Sequence, residues 1–394
     1  MTIIKKFAVF IIVGMLLSAC QPTATPTPTT TVLPPTPVVV TATPIVEVVT
    51  STPVVLPTVA LPTVALPTVT STSLPTVAPT ATASSPSGLP DYSVTAYLDD
   101  LSTPATEILS YVNAINRHEY LRAYSYWGSP SGYIGTLDAF TNSFANTTSE
   151  TIALGQVVGE GAAGSVYYTL PTAVTDTLNG GGTAKYAICF ILRYPQAANY
   201  GAPPITPMNI DQYTKTSVST STSDAAAITN ACSGSDAFGL PSSPVTVDSL
   251  SDISANNYID NRSGAIEVVS SLFNAINSKE YVRAYSYYQN AATYPGSYTT
   301  YAAGYNDTGS VTATFGTVTS DAGAGQFHYQ VPLAMKVTTT SNTLQTFVGC
   351  YTLHLANPGM QGTLPFQPLG ITAGKFVKVA NNVNVVPLLT TACN

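Results

Sequence analysis

The sequence predicts an α+β protein made of two tandem copies of one domain, set behind a long disordered N-terminal segment. Three observations lead there. The chain repeats itself at a constant offset of 161 residues. Within each copy, apolar residues at helical spacing come first and residues alternating with period two follow. The first ninety residues hold almost nothing but Pro, Thr, Val, Ala, Leu and Ser once an apolar leader is passed.

The leader comes first. Lys5 and Lys6 precede an apolar run from Phe7 to Leu17, and Leu17-Ser18-Ala19-Cys20 closes it. A charged start, an apolar run of about eleven residues and a small-residue cleavage site describe a secretory signal over residues 1–19. The run falls short of the roughly twenty residues that a membrane span needs. Leu-Ser-Ala-Cys resembles the lipobox of bacterial lipoproteins. That resemblance implies a lipid on Cys20 as the mature N-terminus, an anchor in the bacterial cell membrane or envelope, and an extracytoplasmic location. The alternative is a plain secreted protein in which Cys20 merely follows the cleavage site.

Residues 20–90 form a stalk. Leu-Pro-Thr-Val-Ala recurs from Leu56, Leu61 and Leu74, and Glu47 is the segment's one charge. Frequent proline removes backbone donors and favours extended polyproline-II conformations. About seventy such residues at ~3.1 Å each reach roughly 200 Å when fully extended. Ser/Thr/Pro tracts also typify O-glycosylated stalks.

Two copies follow, at 91–244 and 245–394. Asn113-Ala114-Ile115-Asn116 returns as Asn274-Ala275-Ile276-Asn277, Glu119-Tyr120 as Glu280-Tyr281, and Arg122-Ala123-Tyr124-Ser125-Tyr126 as Arg283-Ala284-Tyr285-Ser286-Tyr287. The length suits tandem domains rather than a solenoid, whose period is about 20–50 residues. Cys189 and Cys232 map by the same offset onto Cys350 and Cys393. Four cysteines allow three connectivities, and only Cys189–Cys232 with Cys350–Cys393 gives both copies the same bond. Exported chains oxidise such pairs. Paired zinc half-sites are the rival, without a Cys-x-x-Cys or clustered His to support them.

In each copy Ile108, Val112 and Ile115 mark one face of a helix that Thr103-Pro104 starts. After a polar break, Tyr120, Tyr124 and Trp127 form a second stripe, matched by Tyr281, Tyr285 and Tyr288. A third short helix carries Leu137, Phe140 and Phe144, or Tyr298, Tyr301 and Tyr305. Beyond Thr151 the period becomes two, as in Val166, Tyr168, Leu170 and then Phe190, Leu192, Tyr194. Helices followed by antiparallel strands read as helices packed on one sheet face.

An apolar helix, Asn-Ala-Ile-Asn, a polar break, Glu-Tyr, Arg-Ala-Tyr and several strands resemble the nuclear-transport-factor-2-like superfamily, with its SnoaL-like and ketosteroid isomerase-like members. The resemblance implies two cone-like domains, each a curved antiparallel sheet wrapped around N-terminal helices with a pocket inside. Members include enzymes, ligand binders and interaction modules, so the fold alone does not select an activity.

The residues offer little chemistry. Only 33 of 394 carry Asp, Glu, Lys or Arg, and the formal charge is −7. Nucleic acid is excluded, because phosphate binding needs clustered Lys and Arg. The balance is uneven: residues 91–244 hold 5 basic and 12 acidic groups, residues 245–394 hold 6 and 7. Gly159-Glu160-Gly161-Ala162-Ala163-Gly164 matches a dinucleotide fingerprint but precedes a strand rather than a helix, so it reads as a turn. His118, His328 and His354 align with Lys279, Tyr167 and Arg193 and read as surface or sheet-face residues. Glu119 and Arg122 suit a helix-start ion pair. No catalytic residue, metal or cofactor is indicated.

Tyr126 and Trp127, with Tyr287 and Tyr288, are the candidates for lining a pocket or a binding surface. Tyr combines ring area with a hydroxyl that needs a partner, which suits amphipathic ligands and glycans. The sequence therefore points to a membrane-anchored, non-catalytic module for binding or cell-surface interaction, its partner a small amphipathic ligand, a glycan or a protein. An isomerase- or dehydratase-like enzyme and a structural envelope component are the alternatives. A buried carboxylate facing a Tyr hydroxyl would favour the enzyme.

Overall fold

The computed structural model describes residues 90–232 and 253–394; the leader, Cys20, the Pro/Thr-rich segment and the join around Asp252 lie outside the described residues. Each repeat is mixed α/β, with one five-stranded antiparallel sheet and helices packed beside it. The first runs α1 (Pro104–Asn116), α2 (Tyr120–Ser125), α3 (Pro130–Tyr133), α4 (Leu137–Ser143), β1 (Thr147–Leu154), β2 (Val158–Ala162), β3 (Ser165–Leu178), β4 (Thr183–Pro195), β5 (Asn209–Val218) and α5 (Asp224–Ala231). The second runs α6 (Ala265–Asn277), α7 (Tyr281–Tyr285), α8 (Tyr298–Ala303), β6 (Thr308–Phe315), β7 (Thr319–Gly323), β8 (Gln326–Thr339), β9 (Leu344–Ala356), β10 (Gly370–Val379) and α9 (Val386–Leu389). Strand order is β1-β3-β4-β5 with β2 also on β3, and β6-β8-β9-β10 with β7 also on β8. Every strand of the second sheet lies 161 residues after its counterpart.

Local sequence explains these elements. Thr103 caps α1 through a reciprocal capping box with Thr106, and Pro104 occupies the first turn. Ile108, Val112 and Ile115 are all buried in the first core. The helix ends because His118 adopts a left-handed φ of 57°, and Lys279 does the same at 62° after α6. Pro130 opens the single turn α3. The Gly-x-Gly-x-x-Gly stretch is the β2–β3 hairpin: Ala163 and Gly164 take φ of 46° and 80°, and Ala324 and Gly325 take 51° and 75°. Two positive φ values at the tip match the twist of a tight hairpin.

Each disulfide closes its own repeat: Cys189–Cys232 ties β4 to the end of α5, and Cys350–Cys393 ties β9 to the C-terminal segment. Both repeats fall within one compact unit. A joint with local two-fold pseudosymmetry links them. Leu101 N donates to Asp260 O (2.7 Å) and Arg262 N to Asp99 O (2.6 Å). Asp99 N donates to Ser263 Oγ (2.8 Å) and Asp260 N to Ser102 Oγ (3.0 Å). Each bond becomes its partner when 161 is added or subtracted, and the Asp100–Asn261 bridge maps onto itself. The repeats therefore meet as a homodimer would, through a self-complementary contact.

Candidate functional site

Most of the residues that recur between the repeats build one buried polar cluster in each. Arg122 is wholly buried. It donates to Glu119 Oε2 (2.7 Å), Leu98 O (2.5 Å), Tyr126 Oη (3.1 Å) and Asn113 Oδ1 (2.8 Å). Tyr126 Oη in turn donates to Asp99 Oδ1 (2.8 Å), beside the joint. Arg283 repeats the set with Glu280, Ile259 O, Tyr287 and Asn274, and Tyr287 donates to Asp260. The guanidinium groups lie over the rings of Tyr97 and Tyr258, at 4.7 and 4.5 Å. Burial pulls the Arg122 guanidinium down, but Tyr126, Glu119, Tyr97 and Asp99 outweigh it and the group stays charged. These clusters are scaffold: all three nitrogens of the Arg side chain donate inside the protein.

The second shared asparagine sets up the site. Asn116 clips β1 to α1 by accepting from Glu150 N (2.6 Å) and donating to Glu150 O (3.0 Å). Asn277 clips Val311 in the same way, at 2.7 and 3.0 Å. One clip thus holds a glutamate in the first repeat and a valine in the second.

Glu150 faces a cavity of about 460 Å³ between the helices and the sheet of the first repeat. Tyr111, Phe140, Phe144, Ile188, Phe190 and Tyr213 supply apolar walls, while Glu150, Asp176 and Lys215 supply charge. Glu150 and Asp176 are directly opposite across the β1–β3 ladder. Both are buried, at 6% and 5% exposure, and no N–H or hydroxyl of the described residues reaches Asp176 Oδ1. Burial pushes Glu150 up to about 8, Asp176 adds to the rise, and Lys215 opposes it. Burial raises Asp176 too, against Lys215 and the hydrogen bond from Glu150. Burial therefore favours a proton on Glu150, which faces Asp176 across the ladder. The Tyr111 hydroxyl is raised well above its usual range by burial and by Glu150. Lys215 Nζ rests 3.6 Å from the Tyr186 ring centre.

The second repeat has a cavity of about 520 Å³ in the equivalent place, lined by Phe273, Ile276, Val311, Met335, Val337 and Phe376, with Asp307 and Gln345 as polar members of its lining. At the offset of 161, Glu150, Asp176 and Lys215 become Val311, Val337 and Phe376. All three charges are replaced together by apolar groups. Burying a carboxylate is costly unless it is paired, so the three polar residues belong together as one functional unit.

None of the four aromatic candidates is exposed. Tyr126 and Trp127 are 3% and 5% exposed and border a third cavity of about 550 Å³ between the repeats, with Asp99, Arg262 and Phe366. Tyr287 sits in the buried Arg283 cluster, and Tyr288 lies in the second core against Tyr294 and Tyr301. Trp127 also packs edge-on against Tyr213 (5.2 Å) and Tyr111 (6.2 Å), two walls of the first cavity. His118 bonds Tyr120 on the surface. His328 and His354 meet across β8 and β9 with ring centres 4.8 Å apart, and burial with the neighbouring His328 lowers His354. Among the described residues, no group of three or more His, Cys, Asp or Glu is placed to hold a metal ion, and no helix is long and apolar enough to cross a membrane. The disulfides fit an oxidising, extracytoplasmic setting.

Comparison with protein-family models, with curated proteins and with solved structures finds no match to the chain.

Matching residues between the copies singles out Glu119, Arg122, Asp99 and the asparagines, which are structural. It passes over Glu150, Asp176 and Lys215 because their counterparts differ. A signal for them was present: Glu150 shares period-two spacing with the buried Ile152 and Leu154, and Asp176 with the buried Val174 and Thr172. Each acid therefore falls on the inward face of its strand.

Proposed function

We propose that this protein is a lipid-anchored, extracytoplasmic binding module in which the first repeat captures a small amphipathic molecule inside a cone-shaped domain. The leader and Cys20 supply the anchor, and the Pro/Thr-rich stalk holds the repeats away from the membrane. The observation that carries the reading is the contrast between the two cavities. They share a scaffold and differ in a buried Glu150–Asp176–Lys215 set that folding does not require, since the second repeat folds without it. A pocket of a few hundred Å³ with apolar walls and a few convergent polar groups is the usual form of a small-molecule site. The second repeat, whose cavity carries Val311, Val337 and Phe376 in place of the three charges, serves as the matching half of the joint.

Trp127 is the chain's single tryptophan and touches two cavity walls, so its emission reports occupancy. Titration with small aromatic amines, alcohols and acids should give a saturable change that Val174→Phe, which fills the cavity, abolishes. No saturable change with any probe would refute the binding reading.

A second reading rests on the same pair. An acid that keeps its proton at neutral pH beside an ionised partner suits proton transfer at carbon, as in an isomerase- or dehydratase-like enzyme with Glu150 as the acid–base group. Solvent deuterium entering the α-carbon of a ketone probe, and lost in Glu150→Gln, would favour it. Absence of exchange would leave the binding reading alone.

A further inference from the structure

We propose that the first-repeat cavity is selective for small primary amines with an apolar body, the ammonium seated between Glu150 and Asp176, which face each other across the ladder in its wall. This rests on the binding reading above and names its ligand class.

The charge count comes first. With one proton on the pair, the two carboxyls carry −1 and Lys215 carries +1, so the empty cavity is neutral. When an alkylammonium enters and the shared proton leaves to solvent, the pair carries −2 against two cations, and the cavity is neutral again. A neutral alcohol leaves the proton in place. An anionic ligand would bring an uncompensated charge into a buried site, which is strongly disfavoured.

Hydrogen bonding points the same way. Asp176 Oδ1 is a buried acceptor with no donor among the described residues apart from the Glu150 carboxyl facing it. An ammonium has three donors and no acceptor, enough to reach both carboxylates and leave one bond spare. The surrounding Tyr111, Tyr213, Phe140 and Phe190 rings suit a cation near its apolar body, since ring faces attract positive charge. Lys215 already shows this preference by resting on Tyr186.

The ionisable groups that act on Glu150 come from four other elements: Asp176 on β3, Lys215 on β5, and the raised hydroxyls of Tyr111 on α1 and Tyr186 on β4. Tyr120 on α2 also senses it. The tyrosines stay neutral near pH 7, so the pair and Lys215 set the response. With the pair's proton lost near pH 8, amine affinity should rise about fifty-fold between pH 6 and 8 and then level off. An alkylammonium, like a lysine side chain with its pKa near ~10, stays charged over that interval.

The test is calorimetric titration of the full-length mature protein with 2-phenylethylamine and with 2-phenylethanol, which has the same body, in two buffers of different ionisation enthalpy. The amine should bind at least tenfold tighter than the alcohol and release close to one proton at pH 7. Glu150→Gln should abolish the proton release and flatten the pH profile, an effect that loss of folding does not produce. Lys215→Met removes the cation that opposes the Glu150 proton and should move the rise in amine affinity to higher pH. Equal binding of amine and alcohol, or amine binding without proton release, would overturn the amine assignment while leaving a binding cavity. Binding of neither compound would overturn both readings.

Discussion

Replacing Glu150 by Gln should stabilise the protein, and by an amount that grows with pH. The folded chain holds the Glu150 proton to about pH 8, whereas an open chain releases it near 4.5. Between those values the folded state binds more protons than the unfolded one, so stability falls as pH rises through the window. At about 1.4 kcal/mol per pH unit the ceiling is about 5 kcal/mol. Sharing with Asp176 reduces it, because the variant leaves Asp176 to ionise in the same cavity, and about 2–3 kcal/mol is expected at pH 8. A Gln amide still donates to Asp176, so wild type and variant should be nearly equal at pH 5. Asp100, raised by burial to about 6, and the fully buried Glu107, also raised by burial, bias stability in the same direction. They are present in both proteins and cancel in the difference. Urea unfolding followed by Trp127 emission reports on the first repeat, where the residue is buried. A variant destabilised equally at pH 5 and pH 8 would refute the shared proton.

Other outcomes follow from the scaffold. Arg122→Met leaves Glu119 with Arg117 alone and strips Asn113, Tyr126 and Leu98 O of their buried donor, and should cost about 3 kcal/mol; a loss under about 1 kcal/mol in urea unfolding would show that the cluster is not structural. Peptide mapping without reductant should recover Cys189–Cys232 and Cys350–Cys393, each closing a loop of 43 residues. Chain entropy assigns about 4 kcal/mol to each bond, so reduction should lower the unfolding midpoint markedly, and a Cys189–Cys350 peptide would contradict the pairing. Mass spectrometry of the mature N-terminus should find a diacylglyceryl group on Cys20; an unmodified cysteine would remove the membrane anchor from the account.

Much of the architecture was legible because it is written twice. The offset of 161 gave the cysteine pairing and matched the strands around 166–170 and 190–194 to their counterparts, and the switch from helical to alternating spacing placed the sheets after the helices. The joint was not legible, since Ser102 and Ser263 act there through backbone partners more than 150 residues away. Tyr126 borders the cavity between the repeats, while its hydroxyl is committed to Arg122 and Asp99, a contact that depends on tertiary folding. The cavity residues were hidden by the comparison that revealed the fold. Identity between copies reports what both must do to fold, whereas Glu150, Asp176 and Lys215 lie where the copies diverge. The charge imbalance between the halves was an early trace of that divergence: the first repeat carries acids, including these two, that the second does not.

A crystal structure of the mature protein soaked with 2-phenylethylamine tests the central claim most directly. The amine nitrogen should lie within hydrogen-bond distance of both Glu150 and Asp176, with the ring against Tyr111 and Phe190, and nothing comparable should occupy the apolar cavity around Val311 and Val337. An amine bound in the second cavity, or between the repeats beside Trp127, with the Glu150–Asp176 pair untouched would contradict it.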